Sequence, residues 1–312
     1  MALRAAAPQQ SPEWRVNPRP ERSVRGADLT TLGIGGEIKN LLRPRCEEEL
    51  VSMLRGLNPG EGPFCVIGGG SNVLMTDDAF DAPLVLTTAM NGVEVERRGS
   101  GTVLVRCGAG VRLADLFAMT LEEGWGGLEF ASGIPGTVGG AVMGNAGTLH
   151  GETGQAVRSV RMIGAGGAVR DFSGGGIEWG YRSCGLADEF YGVVSEVTFS
   201  FRELEKEAVL EKARRSADSR RNQPRGRMTA GCVFRNPPGG SAGRLLELAG
   251  CKGLSSGGAA VSEVHANFIE NPGGATARDF ARLALICRDR VLELFGVRLQ
   301  FEIRTLGISL GD

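Results

Sequence analysis

Apolar residues along this chain switch repeatedly between a spacing of three to four and a spacing of two, which predicts helices and strands in alternation. From Cys46, the segment CEEELVSMLRGL sets Leu50, Met53, Leu54 and Leu57 on one helical face, with acids in the first turn that suit the helix dipole. A short strand, FCVI at Phe64 to Ile67, runs straight into GGGSN, and LVL at Leu84 to Leu86 and VLVRC at Val103 to Cys107 are further strands. VRLADLFAMTLEEG then places Leu113, Leu116, Phe117 and Leu121 at helical spacing. Strand, helix and strand in this order predict an α+β or α/β domain.

Between Gly124 and Gly154 eleven glycines break the pattern, which predicts irregular backbone lining something rather than a helix or plain strand. Strand-like segments return from Val157 to Phe201. ELEKEAVLEKARRSADSRR then reads as a charged, solvated helix joining two domains, with the boundary near residue 203. Beyond it come a short helix around GRLLELAG, an extended NFIEN, and a longer helix opened by Thr276 with Asp279 three residues on. Phe280, Leu283, Ala284, Cys287, Val291 and Leu294 form the expected buried stripe of that helix. The closing VRLQFEIRTLG alternates, with Val297, Leu299, Phe301 and Ile303 on one side and Arg298, Gln300, Glu302 and Arg304 on the other. The expected organisation is a loose tail over residues 1–24, a first domain over 25–202 and a second over 203–312.

Composition narrows the function. In 312 residues, 35 Lys+Arg against 36 Asp+Glu leave a net charge of −1, without the basic field of a nucleic-acid binder. Glycine stands at 49 residues, about 16 % and more than twice the usual share, without a three-residue period, so tight turns and close backbone approaches are expected. Seven scattered cysteines and no CxxC pair argue against a disulfide framework or a zinc site, and suit a reducing cytoplasm. His150 and His265 are the only histidines, so no metal centre is expected. No apolar run reaches the length of a membrane span.

Five segments are able to carry chemistry. GGGSN, Gly68 to Asn72, follows an apolar strand and suits an anion nest, or else a plain turn; it matches neither a P-loop nor GxGxxG. GLEFASGIPGTVGGAVMGNAG, Gly127 to Gly147, is a second loop of small residues. Two such loops in one domain suit a large phosphorylated cofactor such as a dinucleotide. Arg182 in YRSC suits a carboxylate or phosphate, or is a plain surface arginine. Cys232 in AGCVFRNPPG is a proton donor, a nucleophile or an inert buried thiol. Glu302 is a site carboxylate or an exposed edge residue.

Together and in this order, IGGGSNVLMTDDAF, LEFASGIPGTVGGAVMGNAG, YRSC, AGCVFRNP, GGAAVSEVHANFIEN and FEIRTLG resemble the UDP-N-acetylenolpyruvoylglucosamine reductase family, over nearly the whole chain from TTLGIGG at Thr30. The short spacing after YRSC resembles the subgroup without a tyrosine-loop insertion. The resemblance implies an α+β fold: a two-lobed FAD-binding domain of the vanillyl-alcohol-oxidase (PCMH) type followed by a smaller α+β substrate-binding domain. It also implies non-covalent FAD, NADPH as hydride donor, a nucleotide-sugar substrate, a cytoplasmic setting and a monomer or weak homo-oligomer.

Residue by residue, the resemblance implies catalytic roles for Arg182, Cys232 as proton donor and Glu302. It places FAD against Gly68, Gly69, Gly70, Ser71 and Asn72 and against Gly133, Ile134, Pro135, Gly136, Thr137, Gly139 and Gly140. Asn236, Arg304, Tyr181, Arg221 and His265 fall at substrate-pocket positions. One departure stands at RRNQP, where many relatives carry Lys and this chain has Asn222; Arg220, Arg221, Arg225 and Arg227 are the candidates for the missing charge. A flavin oxidase of the same cofactor fold and a non-catalytic flavin or nucleotide-sugar sensor are the competing readings.

Overall fold

The computed structural model describes residues 23–57, 63–224, 226 and 228–311. Most of the expected N-terminal tail, residues 1–22, lies outside them, as do Arg225 and Arg227. Val24 already pairs with Ile38 in a two-stranded ladder.

Seven helices punctuate the described residues: α1 (Glu47–Gly56), α2 (Leu113–Glu123), α3 (Val138–Met143), α4 (Leu186–Glu189), α5 (Lys206–Ser219), α6 (Ala242–Leu248) and α7 (Ala277–Phe295). A first lobe is built on a parallel sheet with Leu84–Leu86 at its centre, flanked by Leu41–Leu42 and Cys65–Ile67. All three residues of the central strand are buried, as expected of a parallel strand covered on both faces. Leu50, Met53 and Leu54 of α1 cover one side together with Phe64 and Val85.

The second lobe is an antiparallel sheet in the order Val169–Ser173, Val157–Gly164, Gly192–Glu203, Thr102–Gly108, Val93–Arg98. Val103, Val105, Cys107, Val160, Met162, Val197 and Phe199 fill its core face. Arg106, Arg161, Asp171 and Glu196 sit on the other face, where Arg161 reaches Asp171 at 2.8 Å, so the period of two divides apolar from charged.

A third core gathers Val233, Phe234, Leu246, Phe280 and Leu283 with Leu32, Ile34 and Leu74 from far upstream. The C-terminal strand Arg304–Leu306 closes the link by pairing in parallel with Val73–Met75. The segment after the first glycine loop is thus shared between first-lobe backbone and C-terminal core. No helix of the described residues is long and apolar enough to cross a membrane.

Several expectations need correction. The glycine-rich stretch is not wholly irregular: VGGAVM forms α3, with Val138, Ala141 and Val142 buried, and it packs so closely that a Cβ on Gly139 would lie 2.9 Å from that of Ala109, an approach only glycine permits. On α2, Thr120 is buried where Leu121 was expected. Leu294 is 61 % exposed, since α7 outruns the core it packs on and ends at Gly296 in the left-handed region. The alternation from Val297 to Arg304 is real in burial, with Leu299 and Ile303 inside, but ladder pairing is confined to the bridge Phe234–Phe301 and to Arg304–Leu306. Helix α5 is no solvated rod: Val209, Ala213 and Ser216 are buried, and the Ser216 hydroxyl donates to Phe130 O at 3.1 Å, which fastens it to the second lobe.

Candidate active site

The two glycine loops, some 65 residues apart in sequence, lie against each other. A Cβ on Gly68 would fall 2.3 Å from Thr137 Oγ1, one on Gly69 3.2 Å from Gly136 Cα, and one on Gly136 2.8 Å from Ser71 Oγ. Gly70, at φ +60°, is the left-handed residue of the first loop, and its Cβ would meet Leu29 O at 1.9 Å. Gly69 is constrained by close approach, not by positive φ. Between the loops, Thr137 Oγ1 is buried with no hydrogen-bond partner among the described residues. An orphaned hydroxyl is costly unless a ligand completes it. Backbone from two loops, small residues and this hydroxyl fit the pyrophosphate of a dinucleotide cofactor.

Beside this cradle lies a cluster assembled from three distant segments. Tyr181 and Arg182 form the tip of a hairpin between Trp179–Gly180 and Ser183–Cys184, with Arg182 at φ +56°. Such a conformation costs about 1 kcal/mol or more for a non-glycine residue and needs support. Asn145 supplies part of that support: buried below the hairpin, it donates from Nδ2 to Gly180 O (2.9 Å) and accepts from Gly154 N at Oδ1 (3.0 Å). Glu302 supplies more, because its Oε1 accepts from Arg182 Nε at 3.1 Å across 120 residues of sequence, with both side chains largely covered. The Arg182 guanidinium also lies 5.3 Å from the Tyr181 ring centroid.

Cys232 is reached from the cradle through Asn72, whose Nδ2 donates to Ala230 O (2.8 Å) and Cys232 O (3.3 Å). Burial pushes the Cys232 thiol up to about 12, helped by the charge of Glu302 and opposed by Arg182 and Arg220. It is therefore a protonated thiol at neutral pH, an acid and not a thiolate. Burial also raises the Glu302 carboxyl above its ordinary value, while Arg182 and then Arg235 oppose the rise. Arg304 keeps an exposed face, yet partial loss of solvent together with the like charge of Arg235 lowers its guanidinium from the ordinary value. It donates to Met143 O at 2.9 Å, at the end of α3.

The other expected site residues divide. Asn236 stands next to the cluster, its N–H donating to Tyr181 OH at 3.4 Å, although its Oδ1 is taken by Ala242 N at 3.0 Å. His265 packs over Gly243, edge-on to Phe268, with Nδ1 accepting from Asn267 N; burial lowers its pKa, and these contacts lie on the α6 side and not at Arg182 or Glu302. Arg221 is exposed, whereas Arg220 donates to Gly133 O at 3.2 Å and its charge reaches Cys232, so of the described candidates for the missing lysine charge Arg220 faces the site. Sequence reasoning missed Asn145, Arg235 and the tie made by the Asn72 side chain. Only the polar Asn inside MGNAG carried a signal, as a buried amide among small residues.

Comparison with known proteins identifies the family. A family model described as the C-terminal domain of UDP-N-acetylenolpyruvoylglucosamine reductase matches residues 223–306, and an FAD binding domain model matches residues 38–173. The chain is 40 % identical over 282 residues to the UDP-N-acetylenolpyruvoylglucosamine reductase of Syntrophobacter fumaroxidans, covering 89 % of this chain and 81 % of that protein. It is 39 % identical over 287 residues to the reductase of the same name from Myxococcus xanthus, covering 90 % of each. The crystal structure of UDP-N-acetylenolpyruvylglucosamine reductase from Thermus caldophilus superposes with a TM-score of 0.79 at 35 % identity, over 92 % of this chain and 98 % of that one.

Proposed function

This chain belongs to the UDP-N-acetylenolpyruvoylglucosamine reductase family, and we propose that it reduces UDP-N-acetylglucosamine enolpyruvate to UDP-N-acetylmuramate for peptidoglycan synthesis in the cytoplasm, with NADPH as electron source. The observation that carries this reading is the junction of cradle and cluster: a protonated thiol and an arginine–glutamate pair set beside a site suited to FAD. FAD, held non-covalently by Gly68–Ser71 and Gly133–Thr137, would pass two electrons from NADPH to the substrate as hydride.

The substrate is a vinyl ether conjugated to a carboxylate, so addition of hydride at the terminal carbon places negative charge on the carboxylate oxygens. Arg182, preorganised by Glu302, stabilises that charge. Cys232 Sγ–H gives its proton to the adjacent carbon; a pKa near 12 keeps the proton in place until carbanion character develops. Glu302 holds the Arg182 fork in orientation. Tyr181 from the first domain and Asn236 and Arg304 from the second line the approach. We place the start of that domain after α5, because the buried stripe of α5 is spent on the second lobe.

The experiment is anaerobic addition of NADPH to the flavin-loaded protein and then of the enolpyruvyl substrate. Bleaching of the flavin by NADPH and its return on adding substrate is the expected result; a flavin that bleaches and stays bleached removes this substrate from the reading, and a colour that remains with the denatured polypeptide favours a covalent-flavin oxidase.

A further inference from the structure

Arg235 has no role in the site as derived so far, yet its position is unusual. The bridge between Phe234 and Phe301 stacks those two rings at 5.1 Å on one face of the paired segments, with Glu302 N donating to Val233 O and Arg235 N donating to Gln300 O. In an antiparallel pair of this register the flanking residues point to the opposite face, so Arg235 and Glu302 are diagonal neighbours there, within reach of long side chains. Arg304 follows after a bend at Ile303 and lies near enough for its charge to meet that of Arg235. The charge of Arg235 acts on both.

The inventory of charge is unbalanced. The charges of two guanidinium groups, Arg182 and Arg235, fall on one carboxylate, Glu302, which is already engaged by Arg182, and the charge of Arg304 meets that of Arg235. The Nε of Arg235 is buried and has no hydrogen-bond partner among the described residues. A covered arginine with an unmet donor, beside a second arginine, is an arrangement that a bound anion completes.

We propose that Arg235 is a substrate-binding residue that takes the carboxylate of the enolpyruvyl group, as a second guanidinium opposite Arg182. The inference rests on the reductase reading and specifies which part of the substrate this face receives. The carboxylate is preferred to the diphosphate because Arg235 shares its face with Glu302, at the reacting end of the site. As hydride adds, both carboxylate oxygens gain charge, and a second guanidinium then contributes to the rate as well as to binding.

The test uses flavin-loaded R235M and R235Q beside wild type, with two ligands that differ only in the enolpyruvyl group: the full substrate and UDP-N-acetylglucosamine. Binding is read by perturbation of flavin absorbance, and rate by anaerobic reoxidation after reduction with NADPH. Both variants should reduce normally, bind the full substrate at least tenfold more weakly, reoxidise at least tenfold more slowly, and bind UDP-N-acetylglucosamine within twofold of wild type. Equal weakening toward both ligands would assign Arg235 to the diphosphate and overturn the proposal. Reoxidation and binding within twofold of wild type would overturn it as well, leaving Arg235 a packing residue. R235Q keeps a polar, uncharged and shorter side chain, so it provides the reading if R235M does not fold. Wild type that fails to reoxidise with the full substrate brings down the reductase reading itself, a result distinct from any difference between variant and wild type.

Discussion

Asn72 and Cys232 are joined by a hydrogen bond of 3.3 Å from the Asn72 amide to the Cys232 carbonyl, with a companion bond of 2.8 Å to Ala230 O. Asn72 ends the first glycine loop, and its own carbonyl accepts from Arg304 N at 3.1 Å. One residue therefore ties the backbone at Cys232 and at Arg304 to the first glycine loop.

Asn72→Ala should remove both donors and leave two carbonyls poorly satisfied, at a cost of about 1–3 kcal/mol in unfolding free energy. Flavin reduction by NADPH should survive in the retained holoprotein, while reoxidation by the enolpyruvyl substrate should slow by roughly tenfold or more, because a displacement of about 1 Å is expensive in a positioned acid. Stopped-flow measurement of the two half-reactions checks this. Equal slowing of both would point to loss of the cradle in place of misplacement of Cys232.

Cys232→Ala should leave reduction by NADPH nearly intact and slow reoxidation by about 10²- to 10⁴-fold, the usual contribution of a positioned acid. Cys232→Ser should recover much of that loss. With the thiol pushed up to about 12, the reoxidation rate of wild type should show no loss from thiol ionisation between pH 7 and 9, and alkylation of Cys232 by iodoacetamide should stay slow in that range. Ala and Ser variants of equal rate would make Cys232 a packing residue.

Glu302, raised by burial, binds its proton more tightly in the folded state than in the unfolded chain. The sign follows: stability is greatest below the unfolded carboxylate value and falls as pH rises through the folded value. Glu302→Gln should flatten that fall in urea titrations just above the ordinary carboxylate range, and should lower turnover because Arg182 loses the anion that orients it. Unchanged turnover would remove Glu302 from the mechanism, and an unchanged pH slope would locate the linkage in another group.

Gly70→Ala forces a Cβ to 1.9 Å from Leu29 O at φ +60°, whereas Gly69→Ala meets Gly136 Cα at 3.2 Å with no positive φ. The Gly70 variant should lose most of its flavin on gel filtration and the Gly69 variant much less. Retention of flavin by Gly70→Ala equal to wild type would move the cradle elsewhere.

The sequence by itself was sufficient for the α1 and α7 helices and the LVL strand, because these follow from local runs and periods of apolar residues and from caps such as Thr276 with Asp279, while the ordered motifs, and not the periodicity, selected α+β over α/β. The ordered motifs also picked out Arg182, Cys232 and Glu302 before any contact between them was visible. Tertiary structure decided what no local period encodes. A helix formed at VGGAVM where Val138, Ala141 and Val142 are buried in the core and Gly139 packs closely on Ala109, and α5 joined the second lobe because Val209 and Ala213 found a surface to bury against. The pairing of Arg182 with Glu302, the tie from Asn72 to Cys232 and the place of Arg235 depend on chain segments 65 to 160 residues apart meeting in space. Charge and burial at such a junction are sums over neighbours contributed by several elements, so they exist only once the fold has brought those elements together.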